Sequence, residues 1–453
     1  MNLNWWMKMK LKPYPKYKDS GIQWIGEIPE GWEVRKNKHI SNTVAGGTPS
    51  TTKLEYWDGN IPWLPSGMIH SNIIKEEDVF KYITLEGLNN SSTKKIKKNT
   101  PLIALTGATC GNVSYLTFEA TANQSVVGIE TNKEANPKYI FYHLLSQREQ
   151  ILINKTGGAQ SGINEQNVKD IFCSYPSLSE QIAIANFLDK KTAEIDALIE
   201  KDRKLIELLK ERRTALINHA VTKGLTSNTK MKDSGIKWIG EIPEGWEVRK
   251  LKYISLIRIS NVDKKSKPNE EEVLLCNYNE VYNNEFITPN LSFMIATASI
   301  GQSNKFSIKK GDVIITKDSE TSEDIAVPSL VEENLNNIVC GYHLALIRPN
   351  ESKIKGEYLL RIFQSRKIND QFVISANGVT RFGISTYPIK NSFVIVPPLP
   401  EQTTIVNFLG EATVKIDKTI KLIEKKIILL EEYKKSLIHH IVTGKVDVRE
   451  VEV

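Results

Sequence analysis

A guanidinium on a short loop can donate two parallel hydrogen bonds to one planar acceptor pair, such as O6 and N7 of guanine. Arg381 stands in such a stretch, Asn377-Gly378-Val379-Thr380-Arg381-Phe382-Gly383. It is the leading candidate for reading a base edge, against the alternative of a structural ion pair. Gln160, 221 residues earlier, and Gln124 carry amides whose geometry matches adenine, though many glutamines are merely exposed. Lys94, Lys95, Lys97 and Lys98 form the densest basic cluster, and Lys264, Lys265 and Lys267 form a second. Such runs neutralise phosphates or face solvent as plain charged surface. Thr48, Ser50, Thr51 and Lys53 lie in a Gly/Pro-rich stretch. Their short polar groups could reach phosphates or bases, or form an ordinary surface turn.

Other chemistries find little support. The cysteines Cys110, Cys173, Cys276 and Cys340 contain no CxxC pair and no zinc-knuckle spacing. They read as reduced, mostly buried thiols of a cytoplasmic protein. His219, His439 and His440 lack partners at ligand spacing and read as ordinary helix-end residues. The Asp312 and Glu320 carboxylates, with Lys317 between them, are too loosely spaced to argue for a metal nuclease. No GxxxxGK[ST] phosphate loop and no Asn-Pro-Pro-aromatic motif occurs, so neither nucleotide hydrolysis nor adenine methyl transfer is indicated. No apolar run could serve as a signal peptide or span a bilayer. A net charge of +7 permits a nucleic-acid partner without requiring one.

The elements that must position these residues are repeated. Residues 19–36, DSGIQWIGEIPEGWEVRK, return at 233–250 with 17 of 18 positions identical. Residues 176–188, PSLSEQIAIANFL, return as PPLPEQTTIVNFL at 397–409. Ile195-Asp196 matches Ile416-Asp417, and Leu216-Ile217-Asn218-His219 matches Leu437-Ile438-His439-His440. Between these blocks, residues 42–175 and 256–396 barely resemble each other. Uniform drift would spread change evenly, so the alternation points to one frame presenting two different surfaces. Trp24, Trp32, Trp238 and Trp246 belong to the frame and read as core or helix-docking residues rather than base-stacking platforms.

Ile416, Ile420, Ile423, Ile427, Leu430, Leu437 and Ile441 form a heptad seam interrupted only by Lys434. The first half answers with Ile195, Ile199, Ile206, Leu209, Leu216 and Ala220, with Asp202 and Arg213 at seam positions. Polar seam residues can fix helix register. Ser179 reads as an N-cap and Gly224 and Gly444 as C-terminal stops. Each helix should run for about 40 residues, roughly 60 Å, and the two should pack antiparallel.

Short β-like runs fill the interiors, among them 101–105, 126–129, 311–315, 344–347 and 393–396, with helical patterns at 137–155 and 355–372. The expected fold is α+β: two globular domains with mixed β-sheets, joined by two long antiparallel helices in a pseudo-two-fold repeat. The expected boundaries are 17–175, a helical region at 176–226, 230–396, and a second helical region at 397–447.

The GWE-V segments, the PEQ-I-x-x-FL blocks and the paired helices resemble the specificity subunit of type I restriction-modification enzymes, over about residues 18–446. Gly46-Gly47-Thr48-Pro49-Ser50 with Tyr56-Trp57-Asp58-Gly59-Asn60-Ile61-Pro62-Trp63 resembles the start of one kind of family recognition domain. Arg258 to Lys264, with Asn277-Tyr278, resembles the start of another, as does the stretch from Gly311-Asp312-Val313 through Lys317-Asp318-Ser319-Glu320. The resemblance implies that each domain reads one half of a split double-stranded DNA site. The helices would set the gap and dock two modification subunits. S-adenosylmethionine, ATP and Mg would be bound by the modification and restriction subunits, and this chain would bind no cofactor and catalyse nothing alone. The competing readings are a self-contained DNA-modifying enzyme, whose motifs are missing, and a protein scaffold, which leaves the divergent interiors unexplained.

Overall fold

A computed structural model describes residues 11–153 and 162–451. It divides into two compact units: residues 1–202 with 425–453, and residues 203–424. The division falls inside both long helices, so each helix begins in one unit and ends in the other.

In unit 1, a five-stranded sheet runs in the order Ser41–Ala45, Val126–Thr131, Thr100–Ala104, Val113–Leu116, Ile73–Ile74. Its first four strands are antiparallel and the last pairs parallel. Thr100–Ala104 and Val113–Leu116 are buried at every position, so neither face is turned to solvent, and the polar Thr100 and Ser114 are buried with the rest. A three-stranded sheet, Thr121–Ala122, Trp57–Leu64 and Tyr82–Ile83, lies alongside.

Unit 2 repeats this plan. Ser255–Ile259, Leu344–Pro349, Val313–Thr316, Pro328–Val331 and Phe286–Ile287 follow one another in the same order, again with a parallel last pair. Its three-stranded sheet is Met294–Ala298, Glu271–Cys276 and Ile338–Cys340. The interiors therefore share a topology that their residues do not advertise. Buried strands require only apolar, β-compatible side chains, and many sequences satisfy that.

The repeated sequence blocks build the same joints twice. Tyr17–Asp19 pairs with Glu27–Pro29, and Met231–Asp233 with Glu241–Pro243. Glu33–Lys36 pairs with Phe172–Tyr175, and Glu247–Lys250 with Phe393–Val396. The glutamine of each PEQ-like block is fully buried. Gln181 donates to the Pro176 carbonyl (2.9 Å) and accepts from the Asn136 N–H (2.8 Å). Gln402 does the same with Pro397 (2.9 Å) and Lys355 (2.9 Å). Each glutamine thus ties the start of a long helix to the segment entering a domain helix. Trp32 and Trp246 are buried, and Trp24 packs edge-on to His143. Trp238 departs from the expected core role, being 39% exposed.

The central helix spans Leu178–Lys223 and the C-terminal helix Leu399–Val442, about 65–70 Å each. Within unit 1 they are antiparallel: Lys434 meets Asp196 (2.6 Å) and Lys426 meets Asp202 (2.9 Å). Within unit 2, Arg213 meets Asp417 at 3.1 Å. The polar seam residues thus have partners on the opposite helix. Ile416, Ile420 and Ile423 are buried, while Ile206, Leu209, Ile427 and Leu430 are only half-buried.

Gly224 and Gly444 end the helices at φ +77° and +72°, where a Cβ is disfavoured. At the other end of the central helix the expectation needs correcting. Leu178 already lies within it, so Ser177 occupies the capping position, with its carbonyl accepting from the Gln181 N–H (2.9 Å). The two domain-helix patterns also resolve differently. Pro137–Ser146 and Arg148–Ile153 are broken at Gln147, and Gly356–Gln364 and Arg366–Ser375 at Ser365. Gln147 turns its amide to the Phe172 carbonyl (3.0 Å), and Ser365 donates its hydroxyl to Asn218 (2.7 Å). These ties to distant segments interrupt an otherwise continuous helical pattern.

Candidate nucleic-acid interface

The Arg381 turn is pinned at its base. Asn377 and Gly383 exchange backbone hydrogen bonds of 3.0 and 2.9 Å, and Phe382–Gly383 pairs antiparallel with Asp318–Ser319. Gly378 sits so close to the Arg381 carbonyl that any side chain there would overlap it. Arg381 is exposed, and its guanidinium makes no hydrogen bond or ion pair with another described residue.

Arg381 lines two adjoining clefts. One, of about 550 Å³, is walled by Tyr278, Tyr282, Ser319, Glu320 and Asp324 among others. The second, of about 390 Å³, includes Lys264, Asn277, Tyr278, Tyr342 and His343. Tyr278 and Tyr282 stack at 5.3 Å, and the Tyr282 hydroxyl donates to Asp324. His343 takes a left-handed backbone conformation, φ +72°, and its Nδ1 faces the Asp318 carboxylate. A bulky residue in that region is uncommon and marks a position fixed by its surroundings. Here the His343 carbonyl accepts from the Lys317 N–H at 2.9 Å.

Lys264 and Arg381 are therefore brought together. Lys267 is turned aside, 3.9 Å from both Asp263 and Glu270, while Lys265 is exposed with its backbone N–H on Asp263. The aromatic and histidine walls were not among the candidate residues. Asn277-Tyr278 and Lys317 to Glu320 carried only the family resemblance, and Gly341-Tyr342-His343 carried no signal. Five separate segments must fold before these groups meet.

Unit 1 gathers a different set. Any side chain at Gly46 would overlap the Asn123 carbonyl, and the Gly47 N–H donates to Ala122 (2.8 Å). This close approach places the Thr48 hydroxyl on Gln124 (2.5 Å). Trp57 and Trp63 pack edge-on at 5.1 Å beneath the same loop and donate to the Ser50 and Gly47 carbonyls. Ser50 pairs with Thr52 (2.9 Å), Thr51 is exposed, and Lys53 rests on the Tyr56 ring and hydroxyl. In the basic cluster, Lys95 pairs with Glu119 (2.8 Å) and Lys97 with Glu130 (2.7 Å). Lys94 and Lys98 are exposed and form no ion pair with a described residue within 4 Å. Gln160 lies outside the described residues.

The groups most suggestive of other chemistry are spent on structure. Asp312, 1% exposed, is clasped by Arg348 through Nε (2.7 Å) and Nη2 (2.6 Å). Asn136-Pro137-Lys138-Tyr139, the nearest approach to a base-flipping motif, starts a helix: Asn136 caps it by accepting from the Tyr139 N–H (3.0 Å). Tyr139 is buried, its hydroxyl donating to the Ser174 carbonyl at 2.7 Å. All four cysteines are buried, and burial pushes the Cys173 thiol up to about 12, far from a reactive thiolate. Among the described residues, no group of three or more His, Cys, Asp or Glu could hold a metal, and no helix is long and apolar enough to cross a membrane.

A family model described as the type I restriction modification DNA specificity domain matches residues 29–208 and again 243–432. The type I restriction enzyme MjaIX specificity subunit of Methanocaldococcus jannaschii is 24% identical, over 94% of this chain and 96% of its own length. The EcoKI specificity subunit of Escherichia coli is 24% identical, over 84% and 82%. A chain solved in a study of assembly and conformational transition in the type I R-M system aligns with TM-score 0.64 at 16% identity, over 92% of this chain and 98% of that one. The HsdS subunit from Thermoanaerobacter tengcongensis aligns at 0.50 with 14% identity over the same shares. With two copies of the family domain covering most of its length, the chain belongs to the type I restriction-modification specificity family, the non-catalytic components of those enzymes.

Proposed function

We propose that this chain reads a bipartite double-stranded DNA site. Unit 1 reads one half through the Thr48–Gln124 loop, and unit 2 reads the other through the Arg381 clefts. The observation that carries this reading is the contrast between frame and filling. Both units hold the same sheet order and the same helix joints, yet the exposed turns differ in chemistry. Lys94, Lys98 and Lys264 supply phosphate contacts, which anchor the complex without naming bases. Lys95, Lys97, Lys265 and Lys267 add to the positive field around them. Gln124, Gln160 and Arg381 supply base contacts.

The two long helices set the gap between the half-sites and dock two modification subunits. Exposed apolar residues along them, such as Leu205, Leu208, Leu422 and Ile428, suit that docking. The partners bring S-adenosylmethionine, and with a restriction subunit ATP and Mg. Four unpaired buried thiols fit a reducing cytoplasm.

Co-expression with a modification subunit, followed by sequencing of methylated adenines, tests the proposal. A split, asymmetric motif that disappears without this chain is the expected result. Methylation independent of the chain, or a stable complex with no motif, would leave a scaffold as the better account.

A further inference from the structure

Glu285 stands between a long helix and a domain helix. Its Oε2 accepts from Arg213 Nη2 on the central helix at 2.6 Å, and its Oε1 from Arg361 Nη1 on Gly356–Gln364 at 2.6 Å. Arg213 also meets Asp417 of the C-terminal helix (3.1 Å), and Arg361 donates to Gln364 (2.8 Å). Two guanidinium groups and two carboxylates thus form a neutral network. The Arg361 side chain is only 6% exposed and that of Glu285 only 24%. Glu285 immediately precedes the edge strand Phe286–Ile287, and its carbonyl accepts from the Leu330 N–H (3.0 Å), which fixes it to the sheet as well.

The matching positions of unit 1 are built differently. There Asn72 precedes the matching edge strand Ile73–Ile74, its carbonyl accepting from the Tyr115 N–H (2.9 Å). Its side chain turns to Ser114 instead (2.7 Å). Lys434, the counterpart of Arg213, pairs with Asp196. Tyr142 stands where unit 2 has Arg361 and bonds Asp189 of the central helix (2.6 Å). The frame is shared, but the charged tie from sheet edge to helix belongs to unit 2.

Desolvated ion networks contribute little net stability, because desolvation offsets much of their attraction, whereas their geometry is exacting. Two bonds of 2.6 Å on one carboxylate permit little rotation of the domain against its helix. We infer that Glu285 is a positioning residue for the gap between half-sites, holding the reading cleft of unit 2 at one angle to the spacer. This rests on the DNA reading proposed above. A one-base-pair change in gap moves a half-site by about 3.4 Å along the duplex axis and also rotates it, so a loosened mount would tolerate gaps that a rigid one rejects.

The test uses the full complex with its modification subunits and duplexes carrying the native half-sites at the native gap, one pair shorter and one pair longer. Two variants are compared with wild type: Glu285→Gln, and Glu285→Leu with Arg361→Met, which replaces the pair without stranding a buried charge. In both variants the preference for the native gap should fall at least ten-fold, with the bases read in each half unchanged. An undiminished preference, or equal weakening at every gap, would overturn the inference and leave the network merely structural. A wild-type complex that bound without regard to half-site sequence or gap would overturn the DNA reading itself, and the positioning role with it. Wild-type reading of the half-sites with no gap preference would overturn the positioning role alone.

Discussion

Lys426 Nζ lies 2.9 Å from the carboxylate of Asp202, whose side chain is only 9% exposed at a seam position of the central helix. The helices meet again at Asp196–Lys434 and at Arg213–Asp417, two pairs that match residue for residue across the internal repeat. Asp202–Lys426 has no such counterpart. Leu205 and Ile423 occupy the corresponding places. A buried carboxylate at an apolar seam position, met by a half-exposed lysine, selects register at some cost in stability.

Asp202→Leu combined with Lys426→Leu should therefore leave the melting temperature unchanged or raise it, because replacing both partners by apolar residues removes a desolvation cost, about 1 kcal/mol for a pair whose lysine is half-exposed. Thermal unfolding of the purified chain checks this. A fall of several degrees would mean that the pair stabilises rather than specifies.

Arg381→Ala should relax recognition at one position of one half-site, by about 1–3 kcal/mol. Methylated-adenine sequencing would show the added degeneracy. An unchanged motif would remove Arg381 from the reading surface.

Lys264 and Lys267 should behave differently. Lys264 lines the same cleft as Arg381, whereas Lys267 lies near two carboxylates. Lys264→Ala should weaken binding on all sequences alike and lower the salt slope by about 1. Lys267→Ala should change it less. Equal slopes would show that the cleft does not meet phosphate.

His143 is fully buried and accepts from the Ser174 N–H (2.9 Å) through Nε2. Burial, reinforced by His439, lowers its pKa to about 3. The unfolded chain binds this proton near pH 6.5 and the folded chain does not. Stability is therefore full above about pH 6.5 and falls as pH drops toward 3, by up to about 1.4 kcal/mol per unit from this group. Melting between pH 7.5 and 5 should show the loss, and His143→Gln should flatten the slope. An identical slope in that variant would assign the effect elsewhere.

The frame was legible because its contacts are local or repeated. The heptads, the terminal glycines and the segments around Trp32 and Trp246 state their roles within a few residues, whereas Trp238 does not. Strand positions such as 126–129 and 393–396 were legible for the same reason. Sheet order was not, since Ile73–Ile74 and Phe286–Ile287 are placed by parallel partners about 40 residues away. Nor was the meeting of Tyr278, His343 and Arg381, which depends on a left-handed histidine and a two-residue ladder. The helix breaks at Gln147 and Ser365 were hidden because they answer to bonds from distant segments.

If two independent readers share one frame, replacing one should leave the other untouched. Exchanging residues 42–175 for the matching segment of another family member, and then mapping methylated adenines in the assembled complex, tests it most directly. One half-site should change while the other half and the reading of unit 2 stay intact. A change in both halves, or in neither, would show that the two units do not read independently.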